Sequence, residues 1–187
     1  MLPERYLTNH FLIAMPGLMD PNFFHTVTYI CEHSEEGAMG LVINRPMELQ
    51  LADIFEQLQI KITDTSITHK PVYLGGPVQG DRGFVLHDSK SEWESTLRVT
   101  DEISVTTSLD ILHAIANGTG PNNSLITLGY AGWGAGQLEE ELAQNAWLSG
   151  PAKSEIIFKR ASQERWQAAA DLLGVDLNLL SSDAGHA

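Results

Sequence analysis

Two runs rich in β-branched and aromatic residues, TVTYICEH (26–33) and AMGLVINRP (38–46), flank the charged turn SEEG (34–37). The pattern predicts an antiparallel hairpin, because such side chains suit a pleated surface and a polar, glycine-ended turn lets the chain reverse. A hairpin so early in the chain restricts the whole fold. It commits the sheet to antiparallel pairing at its start, whereas a doubly wound parallel sheet is assembled from strand–helix–strand crossovers. Other segments extend the pattern. NHFLIAMPG (9–17) reads as a preceding strand stopped by Pro16 and Gly17, and KPVYLGGPV (70–78) and RGFVLHDS (82–89) as strands joined by QGD (79–81). LRVTD (97–101) and ISVTTS (103–108) form a shorter pair, and SLITLGYAG (124–132) and EIIFK (155–159) complete the strands.

About four helices are expected between and after these strands. LADIFEQLQI (51–60) places Leu51, Ile54, Phe55 and Leu58 on one helical face. LDILHAIANG (109–118) follows Ser108 as a cap, aligns Leu109, Leu112 and Ile115, and ends at Gly118. QLEEELAQNAWL (137–148) and QERWQAAADLL (163–173), the latter stopped by Gly174, are the others, and DPNFF (20–24) reads as a short helical turn capped by Asp20. Hairpins followed by alternating helix and strand predict an α+β domain with a mixed, mostly antiparallel sheet.

The 187 residues, 43% of them apolar and 19% charged, suit a single domain spanning 1–187. Eleven basic residues against twenty-four acidic ones give a formal charge of −13, which opposes direct binding to nucleic acid or to an anionic membrane surface. The lone Cys31 excludes an internal disulfide and fits a reducing compartment, so a cytoplasmic location is expected. FLIAMPGLM (11–19) is too short to span a bilayer and lacks the layout of a signal peptide.

No residue set compels a chemistry. His25 and His33 would stand about 26 Å apart along one strand, and no further His or Cys follows Cys31 and His33 at a zinc-ligand spacing, so neither metal nor cofactor is expected. In HDS (87–89) strand alternation turns Asp88 away from His87 and Ser89, which forbids a linear proton relay. Asn44 and Arg45 in NRP can grip a carboxylate or phosphate, or can make a local turn and a structural ion pair. Gly75 and Gly76 in GGP permit close approach of a ligand, or mark a bulge or a sheet edge. The run GYAGWGAGQLEEEL (129–142) resembles a phosphate cradle, but it lacks the Lys of a Walker loop and the G-x-G-x-x-G spacing of a dinucleotide fold. Its three glutamates at 139–141 also oppose a phosphate. Gly132, Gly134 and Gly136 then form a strand-to-helix turn that fixes Trp133, a bulky group available for exposure. The segment KSEIIFKRASQERW (153–166) is the one basic surface candidate, with Lys153, Lys159, Arg160 and Arg165 against Glu155 and Glu164.

Taken together, LTNHFLIAMPGLMDPNFFHTVTYICEHSEEGAMGLVINRP, PVYLGGPVQGDRGFVLHD and GYAGWGAGQLEEELAQNAWL closely resemble the YqgE/AlgH family of small bacterial proteins, over about residues 5–174. The resemblance implies a bacterial cytoplasmic protein with a single compact α+β domain in which a strongly bent sheet approaches an open barrel. The compact core is expected over about 5–174, and the tail over 175–187, ending in SSDAGHA with nothing to bury, is expected to pack weakly. It carries no assigned catalytic residues; part of the family is labelled a transcriptional regulator of exopolysaccharide synthesis. The expectation is a noncatalytic regulatory protein whose loops MPG, NRP, GGP and GWGAG gather at one surface to bind a small molecule or a protein partner. Asn44, Arg45, Gly75, Gly76, Gly132, Trp133, Gly134 and Gly136 would line it. The alternatives are a DNA-binding regulator and an enzyme using Asp20, His25 or Arg45.

Overall fold

The run FLIA is apolar at every position because the strand it forms is buried on both faces. In the computed structural model, which describes residues 6–88 and 91–184 with side chains to 180, this strand is β1 (His10–Ala14). Phe11 and Ile13 point into one core cluster, Leu12 and Ala14 into another. β2 (Val27–Ser34) and β3 (Gly37–Val42) make the antiparallel hairpin, with a bulge between Ile30 and Glu32. There follow β4 (Pro46–Gln50), α1 (Leu51–Gln57), β5 (Pro71–Leu74), β6 (Val78–Asp88), β7 (Thr96–Arg98), β8 (Ile103–Thr106) and α2 (Leu109–Ala116). The chain ends with β9 (Ser124–Gly134), α3 (Gln137–Ala143), β10 (Trp147–Pro151), α4 (Ser154–Phe158), α5 (Arg165–Asp171) and α6 (Leu177–Ala184).

The ten strands form one curled half-barrel sheet in the order β10-β1-β2-β3-β9-β6-β8-β7, with β5 between β4 and β9. β5 with β9 is the one parallel pair among the described strands. The concave face carries the largest cluster, to which β1, β2, β3, β6, β8 and β9 all contribute, and it is plugged by Ile156 and Ile157 of α4, Ala168–Ala170 of α5 and Leu177 of α6. On the convex face, α1 and α2 cover one end through Leu51, Phe55, Ile111 and Ile115, and α3 with Leu18 and Phe23 covers the other. Each fully buried Leu, Ile or Phe contributes about 1.5–3 kcal/mol, so the three clusters supply the main driving force.

β9 pairs with β6 along one edge and with β5 and then β3 along the other. The chain leaving β5 must therefore cross β9 to begin β6, and it does so at Gly75–Gly76–Pro77. A Cβ on Gly75 would stand 2.4 Å from the Gly129 carbonyl oxygen, and one on Gly76 2.1 Å from the Tyr130 carbonyl carbon. Two backbones crossing at this range admit only glycine.

Several elements differ from the expected ones. EIIFK is the helix α4, not a strand, and the segment read as one helix over 137–148 divides into α3 and β10. QGD lies inside β6, since the break between β5 and β6 is the glycine crossing. The described residues hold six α-helices rather than about four. DPNFF is a hydrogen-bonded turn in which the Asn22 N–H donates to the Asp20 carboxylate at 2.9 Å. The expectation of a weakly packed tail from 175 fails at its first turn, where Leu177 is buried, while residues 185–187 lie outside the described residues. No described helix is long and apolar enough to cross a membrane.

Candidate functional site

The half-barrel does not close, and the gap between its last strand β7 and the β2–β3 hairpin is a cleft of about 870 Å³. Phe84, Val105 and Tyr130 form its floor, Ala38, Met39 and Glu32 one wall, and Ser95, Thr96 and Leu97 the other. A second cavity of about 540 Å³ continues it past the hairpin turn and shares Glu32, Ala38, Met39, Leu97 and Trp133 with it. Arg82 lies over the Phe84 ring, 5.3 Å from its centroid.

Among the described residues no strand pairs with the outer edge of β7. The Thr107 N–H donates to the Ser95 carbonyl and the Val99 N–H to the Ile103 carbonyl, so alternation turns Leu97's backbone groups toward β8 and those of Thr96 and Arg98 outward. The Thr96 and Thr106 hydroxyls lie 2.8 Å apart, as expected of the closer, non-hydrogen-bonded pair. Leu97 faces the cleft and is 38% exposed.

Gly132 and Trp133 line the cleft together, but with different parts. Along β9, Tyr130 and Gly132 face the concave side, Ala131 and Trp133 the convex side. The missing side chain at Gly132 keeps the floor open, since a Cβ there would meet the Tyr130 ring at 3.4 Å. Trp133 is not an exposed group. It is 5% exposed, its Nε1–H and that of Trp147 donate to Glu141 Oε1 at 3.1 and 2.9 Å, and Phe23 packs on both rings. Gly134 belongs to β9 and donates its N–H to the Gln137 side chain, and Gly136, at φ +77°, turns the chain into α3. Glu139 and Glu140 occupy the first turn of this helix.

The remaining expected site residues lie outside the cleft. Asn44 bridges backbone: its Nδ2 donates to the His25 carbonyl and its Oδ1 accepts from Val27 N, both at 2.9 Å. Among the described residues Arg45 makes no carboxylate pair. Its Nη1 donates to the Pro21 and Asn22 carbonyls and its Nη2 to the Phe24 carbonyl, at 2.8–2.9 Å, which holds the DPNFF turn in place. Burial pulls the Arg45 guanidinium below its ordinary pKa, against the opposing influence of Asp20. NRP and GGP are zipped together through backbone, Leu74 N–H to the Arg45 carbonyl and Val42 N–H to the Gly75 carbonyl. Gly75 and Gly76 meet the cleft only through Tyr130, under which they cross. Of the four loops, MPG and GWGAG meet through Leu18, Phe23 and Trp133, and Arg45 ties NRP to the turn between them.

The other candidates are structural. His25 stacks between Phe24 and Trp166 at 3.8 and 3.9 Å, and burial lowers its pKa. Burial pushes the Cys31 thiol far above its ordinary value, which leaves no thiolate for chemistry. His33 accepts the Leu7 N–H at Nδ1 and contacts Glu139 through Nε2. His87 bonds the Asp88 carbonyl rather than its carboxylate, and Ser89 lies outside the described residues. Among the described residues no group of three His, Cys, Asp or Glu side chains is placed to hold a metal ion.

These features define an α+β protein built on a curled half-barrel sheet, plugged on its concave side and cleft where it fails to close. The chain belongs to the AlgH-like family, whose model matches residues 11–178. It is 59% identical over 187 residues to an UPF0301 protein of Thioalkalivibrio sulfidiphilus, with both chains fully covered, and 56% identical over 182 residues to one of Nitrosococcus oceani, covering 97% of each. The solution structure of the AlgH protein from Pseudomonas aeruginosa matches with a TM-score of 0.81 at 56% identity, over 100% of this chain and 99% of that one. A crystal structure from Corynebacterium diphtheriae shares the fold at 18% identity, with a TM-score of 0.76 over 97% and 94% of the two chains.

Proposed function

We propose that this protein is a noncatalytic, cytoplasmic regulatory protein that binds an extended segment of a partner polypeptide in the cleft beside β7. The observation that carries the reading is the outward edge of β7, where Thr96 borders the cleft with the aromatic floor and Arg98 the cavity that continues it. An extended peptide pairs with such an edge through its own backbone and sets alternate side chains against the walls. Met39, Leu97 and Phe84 offer those walls apolar surface. Glu32 and Glu94 outnumber Arg82 in the cleft, and the whole chain carries −13, so the favoured peptide is net basic. The lone buried Cys31 suits a reducing compartment. Direct DNA binding has less support, because Arg165 of the basic segment is buried and Arg160 lies 3.4 Å from Glu155.

The test is an amide-resolved titration of the full chain with short basic and acidic peptides and a metabolite panel, repeated on Gly132→Leu and Arg98→Pro. A basic peptide is expected to shift Leu97, Tyr130 and Gly132 together. Both variants are expected to keep dispersed spectra, since a leucine fits over the Tyr130 ring and an edge-strand proline removes only an outward N–H, and both are expected to lose the shifts. Shifts that cluster on Arg45 or Gly76 instead, or that survive in both variants, refute the cleft as the site.

A further inference from the structure

Arg165 is the most deeply buried charge among the described residues, at 5% exposed. Its Nε donates to the Arg160 carbonyl at 2.9 Å, its Nη1 to the Ile43 carbonyl, and its guanidinium carbon lies 5.1 Å from the Tyr73 ring centroid. Every one of these partners is neutral. In a chain with twenty-four acidic residues, no described carboxylate lies within ion-pairing distance of it. Carbonyls and an aromatic face stabilise the cation in part but supply no counter-charge, and a buried cation without an anion is an expensive arrangement.

The guanidinium borders a cavity of about 190 Å³ whose other polar side chains are Lys70, Ser124 and Tyr73. The four larger clefts each carry at least one carboxylate, but this cavity has two cations and no acid. Neither the Lys70 ammonium nor the Ser124 hydroxyl has a hydrogen-bond partner among the described residues. The nearby acid is Asp64, whose carboxyl is held below its ordinary value mainly by the Ser66 hydroxyl and amide, with Lys70 contributing last. The cavity shares no residue with the cleft beside β7.

We propose that this cavity is a binding site for a small oxyanion, the carboxylate or phosphate group of a low-molecular-weight ligand. The unused donors of Arg165 form the charged end of the site, with Lys70 and Ser124 as further donors. The donors left over on Nη1 and Nη2, with the Lys70 ammonium and the Ser124 hydroxyl, favour an oxyanion with several acceptor oxygens over a halide with a single centre. The volume admits the anionic group with a small organic remainder and excludes a nucleotide.

Titration of the full chain with inorganic phosphate and, separately, with acetate tests this, with sodium chloride at matched ionic strength as the control. The readouts are the Arg165 side-chain Nε–H resonance and the Ser124 amide. Saturable shifts with phosphate alone identify a phosphate ligand, and with acetate alone a carboxylate. Lys70→Gln is an exposed substitution that leaves the Arg165 carbonyl bonds untouched, and it is expected to weaken saturation about tenfold, the usual effect of losing one charge-assisted contact. Ser124→Ala is expected to weaken it less. No saturable shift with either anion, or shifts equal to those from chloride, overturns the proposal and makes Arg165 a carbonyl clamp like Arg45. Shifts unchanged in Lys70→Gln and Ser124→Ala also overturn it. Arg165→Gln is checked by thermal unfolding: if it folds, phosphate or acetate is expected to stabilise the wild type and not the variant.

Discussion

Single side chains in this protein often act on backbone, and His87 shows the consequence for stability. It is fully buried, with Nδ1 2.6 Å from the Asp88 carbonyl and Nε2 2.7 Å from the Thr106 hydroxyl. A carbonyl can only accept, so the proton sits on Nδ1 and Nε2 accepts from Thr106. A second proton would bury a charge and confront that hydroxyl. Burial accordingly lowers the pKa from its ordinary 6.5, against smaller opposing effects of the Asp88 carbonyl and carboxylate. Between the lowered folded value and 6.5 the unfolded chain holds more protons, so stability is complete above 6.5 and falls as pH falls, by at most about 1.4 kcal/mol per pH unit. Urea unfolding at several values between pH 7 and pH 5 is expected to show this slope in the wild type and a flatter one in His87→Gln, even though the variant starts less stable. Equal slopes would refute the assignment. The residue types around such sites are legible in sequence, but their partners are not. Arg45 and Trp133 stand out in their motifs, yet nothing local tells that one clamps three carbonyls and the other shares Glu141 with Trp147.

Helices and strands reveal where a periodic pattern is sufficient and where tertiary packing overrides it. Leu109, Leu112 and Ile115 fit helical spacing in α2, but the buried face is Ile111, Ala114 and Ile115, and Leu109 is 53% exposed at the first turn. Ile111→Ala is expected to cost about 2–5 kcal/mol, as a large-to-small change in a closed core. Leu109→Ala is expected to stay within about 0.5 kcal/mol of wild type. Urea midpoints of the two variants decide this, and a larger loss at Leu109 would restore the face expected from spacing. The hairpin β2–β3 and the pair β7–β8 were legible because alternation and turn chemistry agree there. EIIFK misleads because a short apolar run has no readable period, and its burial against the concave sheet suits a helix as well as a strand. The open edge of β7 is invisible for a different reason. Strand order is a property of the sheet, and a three-residue strand carries no mark of whether a neighbour lies beyond it.

At the scale of the whole molecule, the curl of the sheet creates a concave face that the strands alone cannot fill. α4, α5 and α6 occupy it from one side, leaving the cleft on the side where β7 and the hairpin fail to meet. This makes the C-terminal segment part of the core rather than an appendage. Leu177 is 1% exposed, Val175 and Leu180 pack beside it, and Gln167 of α5 holds the link by donating to the Val175 carbonyl and accepting the Leu177 N–H. The sequence places the end of the compact core near 174, because Gly174 stops the last expected helix, the resemblance runs to about that point, and the tail SSDAGHA (181–187) has nothing to bury. Removing it would expose the Ala168–Ala170 face of α5 and the apolar strand residues below it. A chain ending at Gly174 is therefore expected to unfold at a lower urea concentration, and Leu177→Ala in the full chain to reproduce a large part of the loss, about 2–5 kcal/mol. The two together separate burial from mere chain length. If the truncated chain kept the wild-type midpoint, the plug would end at α5; a loss in the truncation without a loss in Leu177→Ala would assign the effect to the backbone link through Gln167.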